Sequence, residues 1–441
     1  MIKRSEVEKY IPAQGGHYDV IVAGGGPAGL GAAIAAAKMG AKTLLLESRS
    51  FFGGVAATSL WMPFNRVNLQ GGTRGGVHDL LVKKIKEFGS DAYREGKVTW
   101  IDGDGLHIHP DYLRCATFEL LEESGCHYRL YSPVTGVEME GNSVKKVITT
   151  TKEGLTSFSA DVFIDCTGDG DLSYHAGAKT ETGRADDGAL MPVTLGFALA
   201  NVDTDRLFDF YLSAECGEKL NSIIGEAEDE GYSCSDWYSF DPTTIPGVIS
   251  VNHGGLKNIG TIDAIKIQDV TVAERTGIVI ALDFVKFARL KKIPGLENCH
   301  LVRVGAYVGV RETRRVIGEY VLSIEDACGD VEFEDIIARR YGAVDVAGLA
   351  EDKDYKSCMK SGYGYPYRAL LPINIEGLLV AGRCGSYTHL GMAAGKSMGN
   401  MMAIGQAAGI AAAISVRKGI TPRHLDAKEV QSVLVNMGVQ L

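Results

Sequence analysis

The residues best suited to chemistry near the start of the chain are three glycines and one acid. Gly24, Gly26 and Gly29 form a GxGxxG pattern. The pattern directly follows a short apolar run, 19–23, and Glu47 comes about 20 residues later. The first glycine allows a sharp turn, the second lets a pyrophosphate approach the backbone, and the third lets a helix pack closely on a strand. Because a carboxylate at the position of Glu47 can accept both hydroxyls of an adenosine ribose, the spacing predicts a dinucleotide site.

The same stretch has two simpler interpretations, a glycine-rich turn and the apolar core of a signal peptide. Residues 20–37 are almost wholly apolar, as such a core would be. The run starts late, however, follows the charged segment 3–9, and has its glycines at the positions that phosphate binding requires. We therefore predict a helix that starts at Pro27 and Ala28 and directs its free N–H groups and its dipole towards the phosphates.

Length, composition and charge restrict the class of protein. With 441 residues, 45% of them hydrophobic, the chain is long enough for two or three domains. Its 55 glycines fit a fold with many turns and close backbone approaches. The net charge of −10 argues against a nucleic-acid partner, and nine scattered cysteines with no CxxC pair fit a reducing cytosol. We expect no metal site, no membrane span and a cytoplasmic location.

Alternating apolar runs and helical patterns predict an α/β fold. Buried strands are predicted at 160–165 and 377–381, each followed by a polar turn, and a hairpin is predicted around Asn142. Shorter strands are predicted at 193–200, 247–251 and 301–306. Helices are predicted at 73–88, 110–124, 204–214, 219–230, 273–290, 333–340 and 396–416.

Several longer motifs together resemble one protein family. They are GGGPAG…E near the start, FIDCTGDGD from Phe163, GVRETRRVIGEYVL from Gly309, YPYRALLP from Tyr365, and LLVAGRCGSYTHLGMAAGKSMGNMMAIGQAAGIAAA from Leu378. They resemble the FAD-dependent oxidoreductase family, flavoproteins with two dinucleotide-binding domains that are distantly akin to the fumarate reductase flavoproteins. The resemblance covers nearly the whole chain and implies FAD rather than NAD.

The resemblance also implies an organisation into domains. A Rossmann-like FAD-binding domain would be assembled from the separated segments 1–60, 125–180 and 376–441. Residues 61–124 would form a helical insertion or cap. Residues 181–375 would form an inserted domain of mixed β-sheet and helices that binds the substrate.

The resemblance further implies which residues contact FAD. The adenine edge would meet the backbone near Val134, and the isoalloxazine would be approached by Gly53 and Gly54. The Gly382–Arg383 turn would lie on the ribityl-phosphate side, although a surface salt bridge is the alternative for Arg383. The full set is Gly24, Gly26, Pro27, Ala28, Gly29, Glu47, Ser48, Gly53, Gly54, Val134, Thr167, Gly168, Asp169, Gly382, Arg383, Lys396, Ser397 and Met398.

The helix that begins near Lys396 has an expected electronic role. If its N-terminus points at the N1/C2=O edge of the flavin, its N–H groups and dipole stabilise the anion of the reduced ring. Relatives often carry an arginine where this chain has Lys396, so this departure would alter substrate contact or potential. A lysine that simply faces solvent is the alternative.

Two arginines, one histidine and one tyrosine are the catalytic candidates, and a third arginine lies between the first two in the chain. Arg311, Arg314 and Arg315 can clamp a carboxylate or pack two domains together, and in an extended strand only 311 and 315 share a face. His389 lies between the Gly-Arg turn and the helix near Lys396, and it is either an acid/base or a hydrogen-bonding support. Tyr365 would roof the flavin or pack in the core. The candidate catalytic residues are His389, Arg311, Arg315 and Tyr365.

The predicted activity is transfer of a hydride between a small organic substrate and flavin N5. The alternatives are a reductase of an activated C=C bond and a non-catalytic protein that shares the fold. Because the chain has no second complete nucleotide fingerprint, we expect no separate NAD(P)H domain. Electrons would then pass through the substrate, dioxygen or a separate protein carrier, and the sequence is compatible with a homo-oligomer.

Overall fold

The chain folds into alternating helices and strands. The computed structural model describes residues 3–12, 15–61, 64–65, 68–69, 72–98, 101–256, 259–329, 331–341, 344–346 and 362–441. The helices are α1 (Arg4–Glu8), α2 (Pro27–Lys38), α3 (Val55–Thr58), α4 (Gly76–Glu87), α5 (Pro110–Glu123), α6 (Asp171–His175), α7 (Thr204–Tyr211), α8 (Cys216–Asp229), α9 (Ile267–Leu290), α10 (Ile324–Cys328), α11 (His389–Ala393), α12 (Met398–Lys418) and α13 (Ala427–Asn436). The strands are β1 (His17–Ala23), β2 (Thr43–Leu46), β3 (Phe64–Asn65), β4 (Asn68–Leu69), β5 (Gly72–Thr73), β6 (Tyr93–Val98), β7 (Ile101–Ile108), β8 (His127–Arg129), β9 (Val134–Glu140), β10 (Ser143–Thr151), β11 (Gly154–Asp165), β12 (Thr180–Thr182), β13 (Phe197–Ala200), β14 (Tyr238–Pro242), β15 (Ile249–His253), β16 (His300–Val304), β17 (Arg314–Val316), β18 (Ile336–Arg340), β19 (Tyr363–Pro366) and β20 (Leu378–Val380).

A seven-stranded sheet forms the centre of the fold, in the order β8–β2–β1–β11–β10–β9, with β20 added beside β11. Strands β8, β2, β1, β11 and β20 are parallel, and β9 and β10 form the predicted hairpin, antiparallel to β11. Strand β11 pairs with β10 along residues 154–159 and with β20 along residues 163–165. The strands come from three separated stretches of the chain, and the predicted α/β class with a parallel, Rossmann-like sheet is confirmed.

Helices α2 and α12 pack against each other at very short range. A Cβ added at Gly405 would lie 1.9 Å from Ala28 O, and one added at Gly409 would lie 2.1 Å from Ala32 O. Only glycine lets the two backbones approach this closely. Among the described residues α12 alone is long and apolar enough to cross a membrane, but 89% of that window is buried inside the protein. Its apolar composition is therefore explained by its place in the core.

The segment predicted as a helical cap contains more strand than expected. The two predicted helices are present as α4 and α5, but β6 and β7 form a hairpin between them and extend to β3 in a three-stranded sheet. The segment predicted as a helical insertion or cap therefore contains a small sheet in addition to its two helices. Glycines and charged residues interrupt both strands of the hairpin, so the sequence shows little of the alternation that marks a strand.

A second sheet, in the order β14–β15–β13–β16, has its own apolar core with α7, α8 and α9. The core includes Phe197, Phe240 and Phe284. All three strand pairs are antiparallel, so a mixed sheet is not what these residues form. Parts of the predicted domains 61–124 and 181–375 lie outside the described residues, and their boundaries stay predictions.

Residues 333–340 are the clearest misassignment of secondary structure. We expected a charged helix, but Ile336–Arg340 is strand β18, which pairs antiparallel with β19. Arg340 at the end of the strand is fully buried. A pair of buried cross-strand neighbours overrides the helical tendency of the segment.

Candidate active site and cofactor cleft

The glycine turn after β1 is shaped by backbone contacts on two sides and is open on the third. A Cβ on Gly24 would lie 2.4 Å from Cys166 O, and its φ of +94° also favours glycine. A Cβ on Gly29 would lie 1.7 Å from Gly24 O. In contrast, a Cβ on Gly26 would meet nothing within 4 Å. The open space beside Gly26, at the N-terminus of α2, fits a pyrophosphate.

The first turn of α2 lies against the turn that follows β20. Gly26 is the N-cap of the helix and Pro27 is its first residue. A Cβ added at Gly382 would lie 3.0 Å from the Ala28 Cβ. The structure therefore brings together the two glycine turns that the sequence separates by more than three hundred residues.

Glu47 follows β2 and lies beside the same turn. Its Oε2 accepts the N–H of Gly25 at 2.6 Å, and its Oε1 accepts the N–H of Arg49 at 2.7 Å and the hydroxyl of Ser48 at 3.0 Å. The side chain is buried. These bonds orient the carboxylate at the carboxyl end of β2, where ligands of parallel sheets bind.

Two other predicted cofactor segments also lie near the glycine turn. Gly53 N–H donates to Gly25 O at 2.8 Å, and a Cβ on Gly54 would lie 2.9 Å from the Gly26 Cα. Val134 begins β9, two residues after Ser132, whose N–H donates to Glu47 O at 2.8 Å. The structure places Gly53 and Gly54 against the glycine turn, so their proximity to the flavin ring stays a prediction.

The polar turn after β11 is organised by one buried acid. Asp165 Oδ1 accepts the N–H and the hydroxyl of Thr167 at 3.0 and 2.8 Å. Its Oδ2 accepts the N–H and the hydroxyl of Ser173 at 2.8 and 2.7 Å. Burial, together with the carboxylates of Asp169 and Asp165, raises the pKa of Asp171 to about 6. The turn therefore keeps its shape through Asp165 and concentrates negative charge at the carboxyl edge of the sheet.

Arg383 joins the ends of β11 and β20. Its Nη2 donates to Asp169 Oδ1 at 2.7 Å and its Nη1 donates to the Thr313 hydroxyl at 2.8 Å. The same Thr313 hydroxyl donates to Asp169 Oδ1 at 2.8 Å. A Cβ added at Gly168 would lie 2.9 Å from the guanidinium. Arg383 thus forms an ion pair, but one within the predicted cofactor cleft.

His389 belongs to a buried cluster of three ionisable side chains. Its Nδ1 lies 2.8 Å from Glu312 Oε2 and 2.9 Å from Glu312 Oε1. Oε1 of Glu312 also accepts a hydrogen bond from Arg315 Nη1. Arg315 also donates to Tyr387 O at 3.0 Å and to Gly183 O at 2.8 Å, and its burial lowers the pKa of its guanidinium. The cluster links the inserted segment to helix α11.

Arg311 and Lys396 lie near this cluster with different partners. Arg311 Nη1 donates to Pro192 O at 2.6 Å and to the Thr194 hydroxyl at 2.5 Å. Lys396 Nζ donates to the Asp345 carboxylate at 2.8 Å. Burial lowers the pKa of both side chains, and the Asp345 charge opposes the shift in each. Arg311 and Arg315 therefore do not form the shared clamp that a regular strand would create, because β17 begins only at Arg314.

Helix α12 starts next to this cluster. Ser397 is its N-cap and Met398 its first residue. Asn400 Nδ2 donates to Gly395 O at 2.8 Å, which holds the connection from α11. That the N-terminus of α12 faces the flavin stays a prediction.

The tyrosine segment that contains Tyr365 lies in the core. The hydroxyls of Tyr363, Tyr365 and Tyr367 all donate to backbone carbonyls. Tyr365 is 0% exposed, and its ring lies 5.7 Å from that of Tyr387. Burial raises the pKa of Tyr365 well above its ordinary value. Because its hydroxyl is enclosed by Ala369 O and Tyr387, Tyr365 packs in the core, and the structure does not support a catalytic role for it.

The structure also reveals functional supports that sequence reasoning missed. The guanidinium of Arg340 donates to the carbonyls of Gly391, Met392 and Gly395 at 3.1, 3.2 and 3.3 Å, so it fixes the C-terminal end of α11. Nothing in the sequence marks this arginine. Glu312 carried a weak signal, since it is a lone acid among three arginines.

A parallel sheet, a glycine turn at the start of a helix and an acid after the second strand define a dinucleotide-binding protein with a Rossmann-like fold. The chain belongs to the FAD dependent oxidoreductase family, whose sequence profile it matches over residues 19–434. It is therefore an FAD-dependent oxidoreductase, and the predicted family, cofactor and enzyme class are confirmed. The geometry of the glycine turn, with open space beside Gly26 and the anchored Glu47 carboxylate, fits this cofactor.

Similar proteins have several activities. The chain is 34% identical to 4-oxocyclohex-2-ene-1-carboxylate 5-dehydrogenase of Sinomonas cyclohexanicum over 88 residues, which is 19% of this chain and 14% of that protein. It is similar to the flavin-dependent brominase Bmp2 at 14% identity and a TM-score of 0.50, over 95% of this chain and 83% of that one. It is also similar to p-nitrophenol 4-monooxygenase PnpA of Pseudomonas putida DLL-E4, at 13% identity and a TM-score of 0.48, over 95% and 84% of the chains. At such identities the brominase shows a shared fold alone.

Proposed function

We propose that this oxidoreductase moves a hydride between a small organic substrate and N5 of the flavin. The observation that carries the proposal is the His389 imidazole, held 2.8 Å from the buried Glu312 carboxylate. It lies on the short helix between the Gly382–Arg383 turn and the start of α12. In a parallel α/β sheet this is the edge at which ligands bind.

The residues that would hold FAD follow the edge of the central sheet. The turn from Gly24 to Gly29 would bind the pyrophosphate and Glu47 would bind the adenosine ribose. Asp169 and Arg383, joined at 2.7 Å, would line the cleft farther along. Helix α11 and the segment around Arg311 would then contact the substrate.

FAD, when bound, supplies two-electron redox chemistry. When a substrate C–H bond breaks and the hydrogen leaves with both electrons, the substrate must also lose a proton from a neighbouring atom. His389 would accept that proton, and it would return a proton in the reverse direction. Reduction of an activated C=C bond is such a reverse reaction, so the same side chains serve both directions.

Arg311 would orient the substrate. Its Nη1 is held by Pro192 O and the Thr194 hydroxyl, which are both uncharged acceptors. A guanidinium in that situation is suited to bind a carboxylate or another anionic group. The name of the dehydrogenase from Sinomonas cyclohexanicum records a small oxo-carboxylate, which supports dehydrogenation of such a compound as the first reaction to test.

The test is anaerobic reduction of the bound flavin. The purified protein should be yellow, with an absorbance band at about 450 nm that any oxidised flavin shows. A panel of small oxo- and hydroxy-carboxylates is mixed with the oxidised protein, and matching unsaturated acids are mixed with the dithionite-reduced protein. We expect one compound class to bleach or restore the band. A protein that holds FAD but reacts with no member in either direction contradicts the proposal.

A further inference from the structure

We propose that Glu312 is a positioning residue that fixes the tautomer of His389 and so decides which nitrogen exchanges a proton with the substrate. The inference rests on the proposed function for its consequence, but the tautomer itself can be measured without any reaction. Glu312 is 1% exposed and His389 is 5% exposed. The two lie 77 residues apart in the chain, so only the fold brings them together.

The partners of Glu312 show that its carboxylate acts only as an acceptor. It accepts hydrogen bonds from Arg315 Nη1 and, at 3.1 Å, from the N–H of Met191. A carboxylate held against a guanidinium has no proton to offer. The hydrogen in the contact with His389 therefore belongs to its Nδ1. When the imidazole is neutral, its lone pair is on Nε2, and Nε2 is the atom that can accept a proton.

The same contact matters after the proton has moved. An imidazolium then lies against the Glu312 carboxylate, and the opposite charge stabilises it. Arg315 keeps the resting cluster electrically balanced, because its positive charge offsets that of Glu312. Arg315 is in turn fixed by the carbonyls of Tyr387 and Gly183, at 3.0 and 2.8 Å. Both oxygens of the Glu312 carboxylate are thus held in place, Oε1 by Arg315 Nη1 and Oε2 by the N–H of Met191.

Stability alone gives a poor reason for this arrangement. Desolvation of a buried ion pair roughly cancels its attraction, and apolar residues of similar volume serve a core equally well. The Glu312–Arg315 pair would then be replaceable if it only filled space. Its contact with His389 supplies a role that an apolar pair lacks.

The first measurement is the tautomer of His389 in the FAD-bound protein. The ten histidines are labelled with ¹⁵N, and the His389 signals are assigned by their loss in His389→Gln. At a pH where the ring is neutral, we expect a protonated Nδ1 and an unprotonated Nε2. A ring protonated on Nε2 overturns the proposal, and this result needs no Glu312 variant to fold.

The second measurement removes the carboxylate. Glu312→Met is combined with Arg315→Met, because deletion of Glu312 alone would leave a buried cation without its partner. We expect the pair of substitutions to retain FAD, to give a mixture of His389 tautomers, and to lower kcat for flavin reduction by about 10–100-fold. The matched control removes a half-exposed ion pair, Asp335→Asn with Arg368→Gln, and should change neither the tautomer nor kcat. An unchanged His389 tautomer in the Glu312 variant contradicts the proposal.

A third comparison separates this inference from the proposed function. In a His389→Ala background, the Glu312→Met and Arg315→Met substitutions should lower kcat by less than about twofold more, because the carboxylate acts through the imidazole. A further tenfold loss shows that Glu312 acts independently and overturns the inference. Full activity of His389→Ala instead overturns the acid–base role in the proposed function, whatever the tautomer proves to be.

Discussion

Glu47 shapes the glycine turn as well as facing the cofactor cleft. Its carboxylate accepts the N–H groups of Gly25 and Arg49 at 2.6 and 2.7 Å, which holds the loops after β1 and β2 together. An ionised carboxylate has about four lone pairs, and the two N–H groups together with the Ser48 hydroxyl take three of them, which leaves one for a ribose hydroxyl. One side chain therefore fixes the shape of the turn at which FAD is proposed to bind.

Glu47→Gln should weaken FAD binding by about ten- to a hundredfold, because hydrogen bonds to a charged acceptor are worth about 1.5–3 kcal/mol. The dissociation constant is measured by titration of the apoprotein with FAD. Glu138→Gln, an exposed change on β9, serves as the control. An unchanged dissociation constant in Glu47→Gln would show that other groups bind the ribose.

His389 is the residue on which the proposed chemistry depends. Substitution by Ala should leave FAD bound and lower substrate-driven flavin reduction by about 10²–10⁴-fold, as expected when an acid or base is removed. Stopped-flow absorbance with the identified substrate measures the rate. His424→Ala, at the surface beside Thr421, is the matched control. A His389→Ala variant with the wild-type rate would leave Arg311 as the better candidate.

At the scale of elements, the contact between α2 and α12 determines where the first turn of α2, which follows the glycine turn, lies. Gly405 on α12 faces Ala28 O in the first turn of α2, and Gly409 faces Ala32 O one turn farther on. A wider separation of the helices would move the first turn of α2 relative to the β20 turn at Gly382. The helix pair therefore sets the position of the first turn of α2 beside Gly382, although it carries no reactive group.

Gly405→Ala tests this packing because two effects have opposite signs. Helix propensity alone favours alanine by about 1 kcal/mol, but a Cβ placed 1.9 Å from Ala28 O forces the backbones apart at a cost of about 1–3 kcal/mol. We expect a lower free energy of unfolding in urea and weaker FAD binding. Gly225→Ala in α8, where a Cβ meets nothing within 4 Å, should be neutral or stabilising. Stabilisation in both variants would contradict the proposed close contact.

At the scale of the whole molecule, the seven-stranded central sheet and the four-stranded second sheet differ in the ligands that they suit. The central sheet supplies parallel strands that end at helix N-termini, which suits a dinucleotide. The second sheet is antiparallel throughout and has a separate core, and the turn from its strand β13 to α7, residues 201–203, contains no glycine. Its neighbour, the segment from Arg311 to Arg315, reaches back to the carboxyl edge of the central sheet through Asp169 and His389.

NADH and NADPH should reduce the flavin slowly or not at all, because the sequence contains one complete glycine fingerprint and FAD is expected to occupy it. Each nucleotide is mixed anaerobically with the oxidised protein in a stopped-flow instrument. Dithionite, which needs no binding site, provides the control for complete reduction. Reduction by either nucleotide at an ordinary turnover rate of about 1–10³ s⁻¹ would contradict the prediction.

The family, the cofactor and the central strands were predictable because their signals are local. The spacing of Gly24, Gly26 and Gly29 predicts the glycine turn, and the buried parallel strands appear as continuous apolar runs. The hairpin of β6 and β7 and the strand β18 were missed because charged or glycine-rich residues conceal their alternation. Such strands are stabilised by partners that lie elsewhere in the chain.

The sequence by itself determined that this protein is an FAD-binding α/β chain, since that information lies within short stretches read in order. Only the tertiary structure decided which polar residues work together. Glu312 contacts His389 across 77 residues, and Arg340 binds the carbonyls of α11 across more than 50. Every residue has a backbone carbonyl, so the sequence does not show which carbonyls accept the hydrogen bonds of Arg340. A carboxylate between arginines likewise has several equally good ion-pair partners. The choice among them is made by packing, which depends on the whole fold.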